Sequence, residues 1–185
     1  MNSGATVAGD ERHRLFVGYP VPEQVRPELA VWAGEVFGAR QARLVTPGNL
    51  HLTVAFLGAT PARRVAEVRE LVRGAAAGAV RPRFEARRVR LGRSVGMLVF
   101  DDVDGTGTVL AERVQHVLAA AGVYVPEQRA WLPHVTVARW KERPADVRTY
   151  VPVMEIVPSE IAVYLSVLRA GGAQYEILES AALGV

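Results

Sequence analysis

His51-Leu52-Thr53-Val54 and His134-Val135-Thr136-Val137, 83 positions apart, repeat one polar–apolar–polar–apolar tetrad. Histidine, with an ordinary pKa of about 6.5, can take or give a proton near neutral pH. Threonine adds a hydroxyl that can donate to a charged oxygen. Alternation with period two marks a half-buried strand, whose successive side chains point to opposite faces. Each histidine therefore shares a face with its threonine, while Leu52, Val54, Val135 and Val137 turn to a core. Two such strands side by side would present two imidazoles and two hydroxyls to one cleft. That set suits acid–base cleavage of a phosphodiester. One imidazole deprotonates water and the other protonates the departing oxygen, each transfer worth about 10²–10⁴-fold. Thr53 and Thr136 can meet the charge on the non-bridging oxygens. Half of the chain's four histidines lie in this pattern. The other two, His13 near the start and His116 beside Val117 in a helical stretch, read as structural.

The elements that must position these residues follow from periodicity and turn chemistry. Arg14 to Tyr19 reads as a strand closed by Pro20, and Pro22 to Phe37 as a helix with Val25, Leu29, Trp32 and Val36 on one face. After the turn Thr46-Pro47-Gly48-Asn49 comes the first histidine strand, Leu50 to Leu57, stopped by Gly58. Pro61 opens a helix to about Ala77, with Val65, Val68, Leu71 and Val72 as its stripe. Phe84 to Leu91 and Met97 to Phe100 form a strand pair around the Gly92–Gly96 turn. Thr106 to Ala121 is a helix striped by Val109, Leu110, Val114 and Val117. The second histidine strand is Leu132 to Trp140. After a short segment, Pro144 to Tyr150, two strands follow, Glu160 to Leu168 and Gln174 to Leu178, around Gly171-Gly172. The order divides into strand, helix, histidine strand, helix, and then strands, helix, histidine strand, strands. The fold class expected is α+β: two pseudo-symmetric lobes of mainly antiparallel sheet, with outer helices around a central groove. Residues 1–11 read as a flexible tail and 12–185 as one bilobal domain.

Half the residues are hydrophobic, which excludes a disordered chain. No apolar run approaches the roughly 20 residues of a membrane span, and the start lacks a secretory leader pattern. A cytoplasmic monomer with no membrane partner is expected. The net charge is +3, and Lys141 is the only lysine among 22 basic residues. Arginine's planar fork suits phosphate, although GC-rich codon usage explains the bulk of the arginines equally well. There is no cysteine, and neither tetrad has the spacing of common zinc ligands. No metal, no cofactor and no phosphate-binding loop for ATP are expected.

Several stretches in order resemble the two-histidine (2H) phosphoesterases: Arg14-Leu15-Phe16-Val17, Asn49 through Gly58, Pro133-His134-Val135-Thr136-Val137-Ala138-Arg139, and the closing stretch with Ser166, Gly171 or Gly172, and Tyr175. Within that superfamily they resemble the RNA 2′,3′-cyclic phosphodiesterases, also called LigT-like or 2′-5′ RNA ligase proteins. The resemblance covers residues 12 to 180. It implies hydrolysis of an RNA or nucleotide 2′,3′-cyclic phosphate to a 2′-phosphate, with reversible 2′-5′ RNA ligation as a further capacity. It implies His51 as general acid to the leaving 3′-oxygen, His134 as general base to water, and Arg139 as a substrate contact. Arg139 lies five residues after His134, on the opposite face of a regular strand, so it reaches phosphate only if the strand ends or bulges near Ala138. One departure stands before the first tetrad. Many members carry an aromatic residue there, where this chain has Ala42-Arg43-Leu44-Val45. Phosphodiester hydrolysis of 2′-5′ oligonucleotides or of ADP-ribose cyclic phosphate would use the same site. A non-catalytic RNA-binding module is the reading from another class, and the two intact tetrads argue against it. Phe16, Tyr175, Trp131 and Trp140 read first as core packing rather than base-stacking residues.

Overall fold

The computed structural model describes residues 11–38, 42–144, 147, 150–169 and 172–184. The expected tail lies outside them except for Glu11, as do Gly171 and part of the Pro144–Tyr150 segment.

The elements run β1 (Arg12–Pro20), α1 (Arg26–Phe37), β2 (Arg43–Leu44), β3 (His51–Pro61), α2 (Val65–Ala76), β4 (Phe84–Leu91), β5 (Val95–Asp102), α3 (Thr106–Ala120), β6 (His134–Arg139), β7 (Glu155–Ile156), β8 (Glu160–Arg169) and β9 (Gly172–Ala182). Among the described residues the strands form one sheet in the order β7-β4-β5-β6-β3-β1-β8-β9, with β2 joined to β6. Every strand-to-strand pairing is antiparallel. The fold is α+β and antiparallel, as expected, and its strands join in a single curled sheet. The two histidine strands are neighbours at its centre, joined through the single registered pair Leu52↔Val135. The lobes are not two halves of the chain, however. The C-terminal hairpin of β8 and β9 returns to pair with β1 in the first lobe.

One face of the sheet carries the main core: Leu15, Val17 and Tyr19 from β1, Leu52 and Val54 from β3, Val135 and Val137 from β6, packed under the helices. From α1, Leu29, Trp32, Ala33, Val36 and Phe37 are buried. From α2 they are Val68, Val72, Ala75 and Ala76. The α3 stripe is Leu110, Ala111, Val114 and Leu118. Val109, expected in it, is 56% exposed because the buried face turns one residue further round. Phe16, Ala162 and Tyr164, with Tyr175 against them, make a separate small cluster. Among the described residues no helix is long and apolar enough to cross a membrane.

Several boundaries differ from expectation for local reasons. Helix α1 starts at Arg26, four residues beyond Pro22, after a turn in which the Val25 N–H donates to the Pro22 carbonyl. Pro61 ends a strand, and a 3₁₀ turn over Ala62–Arg64 leads into α2. Gly58 does not stop β3. The register passes from Phe16↔Phe56 to Leu15↔Gly58, so Leu57 is unpaired, and Gly58, at φ 66°, absorbs the irregularity.

Candidate active site

Period two puts His51 and Thr53 on one face of β3, and His134 and Thr136 on one face of β6, opposite the buried Leu52–Val135 pair. Continuing that antiparallel register sets His51 across from Thr136 and Thr53 across from His134. Both strands then break the alternation at the same place. Along β1 the pairing steps from Val17↔Ala55 to Gly18↔Thr53, skipping Val54. Along β5 it steps from Gly96↔Ala138 to Met97↔Thr136, skipping Val137. Each is a bulge with one extra residue, and it brings the sixth position of each segment back to the histidine face. Thus Arg139 aligns with Thr136, meeting the condition under which it reaches the cleft. Phe56, its counterpart in the first segment, aligns with Thr53. The backbone groups freed at the bulges find other partners, as buried ones must. Trp131 Nε1–H donates to the Thr53 carbonyl and Gln115 Nε2–H to the Val54 carbonyl, each at 2.8 Å. The Val45 N–H donates to the Val137 carbonyl at 2.8 Å.

The two imidazoles are held alike. His51 Nδ1 lies 2.7 Å from the Asn49 carbonyl and His134 Nδ1 2.7 Å from the Leu132 carbonyl. A carbonyl only accepts, so each Nδ1 carries its hydrogen and Nε2 is left for chemistry. Their surroundings differ. His51 sits in an aromatic cluster, its ring centroid 4.6 Å from Phe16, 5.2 Å from Tyr175 and 5.7 Å from Tyr164. Gly18 makes the room. A Cβ there would fall 2.6 Å from the Leu52 carbonyl oxygen and 3.4 Å from His51 Cδ2. Burial lowers the His51 pKa to about 4; the bond to Asn49 opposes this, and the charges of His134 and Arg139 add to it. His51 is therefore neutral in the ligand-free protein at pH 7.

Two cavities flank the pair and meet at Thr53 and Phe56. On the His51 side a cavity of about 440 Å³ is lined by His51, Thr53, Arg139, Arg14, Arg43 and Tyr175, among others. On the His134 side one of about 490 Å³ is lined by His134, Thr53, Trp131, Met97 and Arg90, among others. Thr136 shares the histidine face but lines neither. His116 is exposed and His13 lies on β1 near its start, both away from the cavity walls. Phe16 is buried, and Trp140 is 7% exposed with its indole N–H donated to the Arg93 carbonyl. Trp131 and Tyr175 are packed but also wall the cleft. Phe56 was not singled out by sequence reasoning. It is 52% exposed, with the Arg14 guanidinium 5.7 Å from its ring centre. The matching Val-Ala doublets after each His-x-Thr were the signal that could have found it. Among the described residues no group of three or more His, Cys, Asp or Glu is placed to hold a metal ion.

A family model described as LigT like Phosphoesterase matches residues 20–96, a stretch that contains the first tetrad and its bulge. Over that stretch the chain is similar to the LigT-like phosphoesterases. It is also similar to the RNA 2′,3′-cyclic phosphodiesterase of Escherichia coli (strain K12), 37% identical over 54 residues. That match spans 29% of this chain and 31% of the relative. The crystal structure of TT0787 of Thermus thermophilus superposes with a TM-score of 0.80 at 26% identity, covering 92% of this chain and 97% of that one. E. coli LigT complexed with ATP superposes with a TM-score of 0.76 at 22% identity, covering 95% and 100%. That likeness extends the LigT-like fold across the second tetrad as well.

Proposed function

We propose that this phosphoesterase opens RNA or nucleotide 2′,3′-cyclic phosphates to 2′-phosphates, using His51 as general acid and His134 as general base. The observation that carries the reading is the matched pair of imidazoles, each anchored through Nδ1 to a carbonyl two residues earlier, on one face of adjacent strands. In the reaction a water oxygen attacks phosphorus and its proton passes to His134 Nε2. The bond from phosphorus to the 3′-oxygen breaks, and that oxygen takes the proton from His51 Nε2. Thr53 and Thr136 donate to the non-bridging oxygens, where negative charge builds, and Arg139 balances the charge of the bound phosphate. His51 must be protonated to serve as acid. The substrate's negative charge favours the imidazolium and works against the burial and cationic neighbours that depress it. The curated relative's activity on RNA 2′,3′-cyclic phosphate supports the choice of substrate.

The cavity beside His134 favours a second reading on the same site. At about 490 Å³ it is far larger than a water needs. A nucleoside 5′-hydroxyl in water's place would give 2′-5′ RNA ligation, and the reverse step would cleave a 2′-5′ linkage.

The test is incubation with nucleoside 2′,3′-cyclic monophosphates and with a short RNA ending in a 2′,3′-cyclic phosphate, EDTA present. Products are resolved as 2′- or 3′-phosphates. The wild type is expected to yield only the 2′-phosphate, and His51→Ala and His134→Ala to lose at least about 10²-fold in rate while remaining folded. Full turnover by either variant would overturn the acid–base pair.

A further inference from the structure

A third bulge, on β4, aims two arginines at the histidine face. Phe84 is buried in the core, so counting by twos from it turns Ala86, Arg88 and Arg90 inward. The pairing with β5 steps from Ala86↔Phe100 to Arg88↔Val99, skipping Arg87. Beyond that extra residue Val89 and Leu91 pack on the core, and Arg88 and Arg90 stand exposed on the other face. Register carries both to the histidine strands. Arg88 pairs with Val99, which pairs with His134, and Arg90 pairs with Met97, which pairs with Thr136. One row across the sheet thus runs Arg88, Val99, His134, Thr53, and the next Arg90, Met97, Thr136, His51. Two strand spacings, about 9–10 Å, separate either arginine from the second histidine strand. Neither has a carboxylate partner among the described residues. The acids nearby are taken, Asp101 by Arg87 at 3.5 Å and Glu127 by Arg129 at 2.7 Å. Among the described residues β7 pairs with β4 only at Phe84 and Glu85, which leaves the edge beside both arginines without a strand.

Their place relative to the two histidines decides what they would bind. The sheet order β4-β5-β6-β3 puts the arginines on the side of His134, away from His51. In an in-line displacement the attacking and leaving oxygens lie on opposite sides of phosphorus. With His134 as base, an attacker larger than water therefore extends over Met97 toward Arg90. Arg90, Met97 and His134 all line the cavity of about 490 Å³. That volume suits a small organic ligand, and an arginine in its wall with no carboxylate partner suits a phosphate on that ligand. We propose that Arg88 and Arg90 form a phosphate subsite for the attacking strand, taking the phosphate on the 3′ side of a 5′-hydroxyl nucleoside. The ligand class is the 5′-hydroxyl end of an RNA, and the joint made or broken is a 2′-5′ linkage. The role of attacker rests on the proposed acid–base pair and its second reading, whereas the grip on the phosphate does not.

Binding reads the subsite without turnover. The probe is 3′-deoxyadenylyl-(2′→5′)-adenosine, which lacks the 3′-hydroxyl that would reopen the linkage, with and without a phosphate on the second nucleoside's 3′-oxygen. By titration calorimetry at low salt, the phosphorylated probe is expected to bind the wild type at least about tenfold more tightly, the worth of one charge-assisted contact. In the double variant Arg88→Gln, Arg90→Gln the ratio should fall to about twofold or less, and lysine at both positions should restore part of it. Arg63→Gln removes an exposed charge on the turn before α2 and should leave the ratio at its wild-type value. Equal binding of the two probes by the wild type overturns the subsite, as does binding of neither. A ratio that the double variant leaves intact, or that Arg63→Gln lowers as far, overturns it too. If cyclic phosphates go unopened while the preference and its loss in the double variant persist, the proposed reaction fails and the subsite stands. If they are opened by a wild type that binds both probes equally, the reaction stands and the subsite fails.

Discussion

His51 should titrate near pH 4 in the ligand-free protein, against an ordinary value of 6.5, because burial beneath Phe16, Tyr164 and Tyr175 disfavours its charged form and the charges of His134 and Arg139 add to that. At 1.36 kcal/mol per pH unit, that depression is a bias of about 3 kcal/mol against the imidazolium. At pH 7 only about one molecule in a thousand would hold the proton. The same bias appears in folding. Between pH 6.5 and 4 the unfolded chain protonates this histidine and the folded protein does not, so stability falls as pH drops through that window and is untouched above it. Urea denaturation of the wild type and His51→Gln at pH 7 and at pH 4.5 isolates the effect from carboxylates common to both. The wild type is expected to lose about 2 kcal/mol more than the variant over that interval. Ring-proton NMR reads the titration directly, and added inorganic phosphate should move it upward by at least about one pH unit, since an adjacent anion favours the charged form. A ring pKa of 6 or above in the free protein, or equal losses on acidification in both proteins, would refute the reasoning. A pKa that stays at 4 with phosphate bound would remove His51 as the acid and leave it as the base.

The remaining predictions address roles and packing. A 2′,3′-cyclic phosphate whose 3′-oxygen is replaced by sulfur has a leaving group that needs little protonation. It should restore most of the rate to His51→Ala and none to His134→Ala, and rescue of the opposite variant would exchange the two roles. Thr53→Val and Thr136→Val keep the strand shape but remove a donor, and each should lower kcat about 10²-fold with KM little changed; an unchanged kcat would make that hydroxyl a strand residue only. Gly18→Ala places a Cβ 2.6 Å from the Leu52 carbonyl oxygen, so the urea midpoint should report a loss of about 1–3 kcal/mol. Activity should fall with it as β3 and the His51 ring are displaced, and a wild-type midpoint would show that the strands can part freely.

How much of this was legible beforehand depends on whether a feature is written in local periodicity or in pairing. The His-x-Thr alternation is local, and it put both imidazoles and both hydroxyls on the right face. The apolar stripes of the helices are local too, and apart from Val109 they named buried residues or neighbours packed against them. Arg139 is the counter-example. Counting by twos from His134 turns it away from the cleft, and only the extra residue at Val137 turns it back. That bulge exists because β5 and β6 pair as they do, so it could be posed from sequence as a condition but not decided. Phe56 was lost to the same counting. Strands β2 and β7 have two residues each, too short to carry a period, and only their partners define them. Without β2 there is no reason to set Arg43 beside Arg139, which lies 96 positions later (139 minus 43). The shared face of the two histidines was thus readable from a pair of tetrads because strand alternation is local. The placement of Arg43 beside Arg139 and of Phe56 beside Thr53 rests instead on residues that meet across strands, which no local pattern writes.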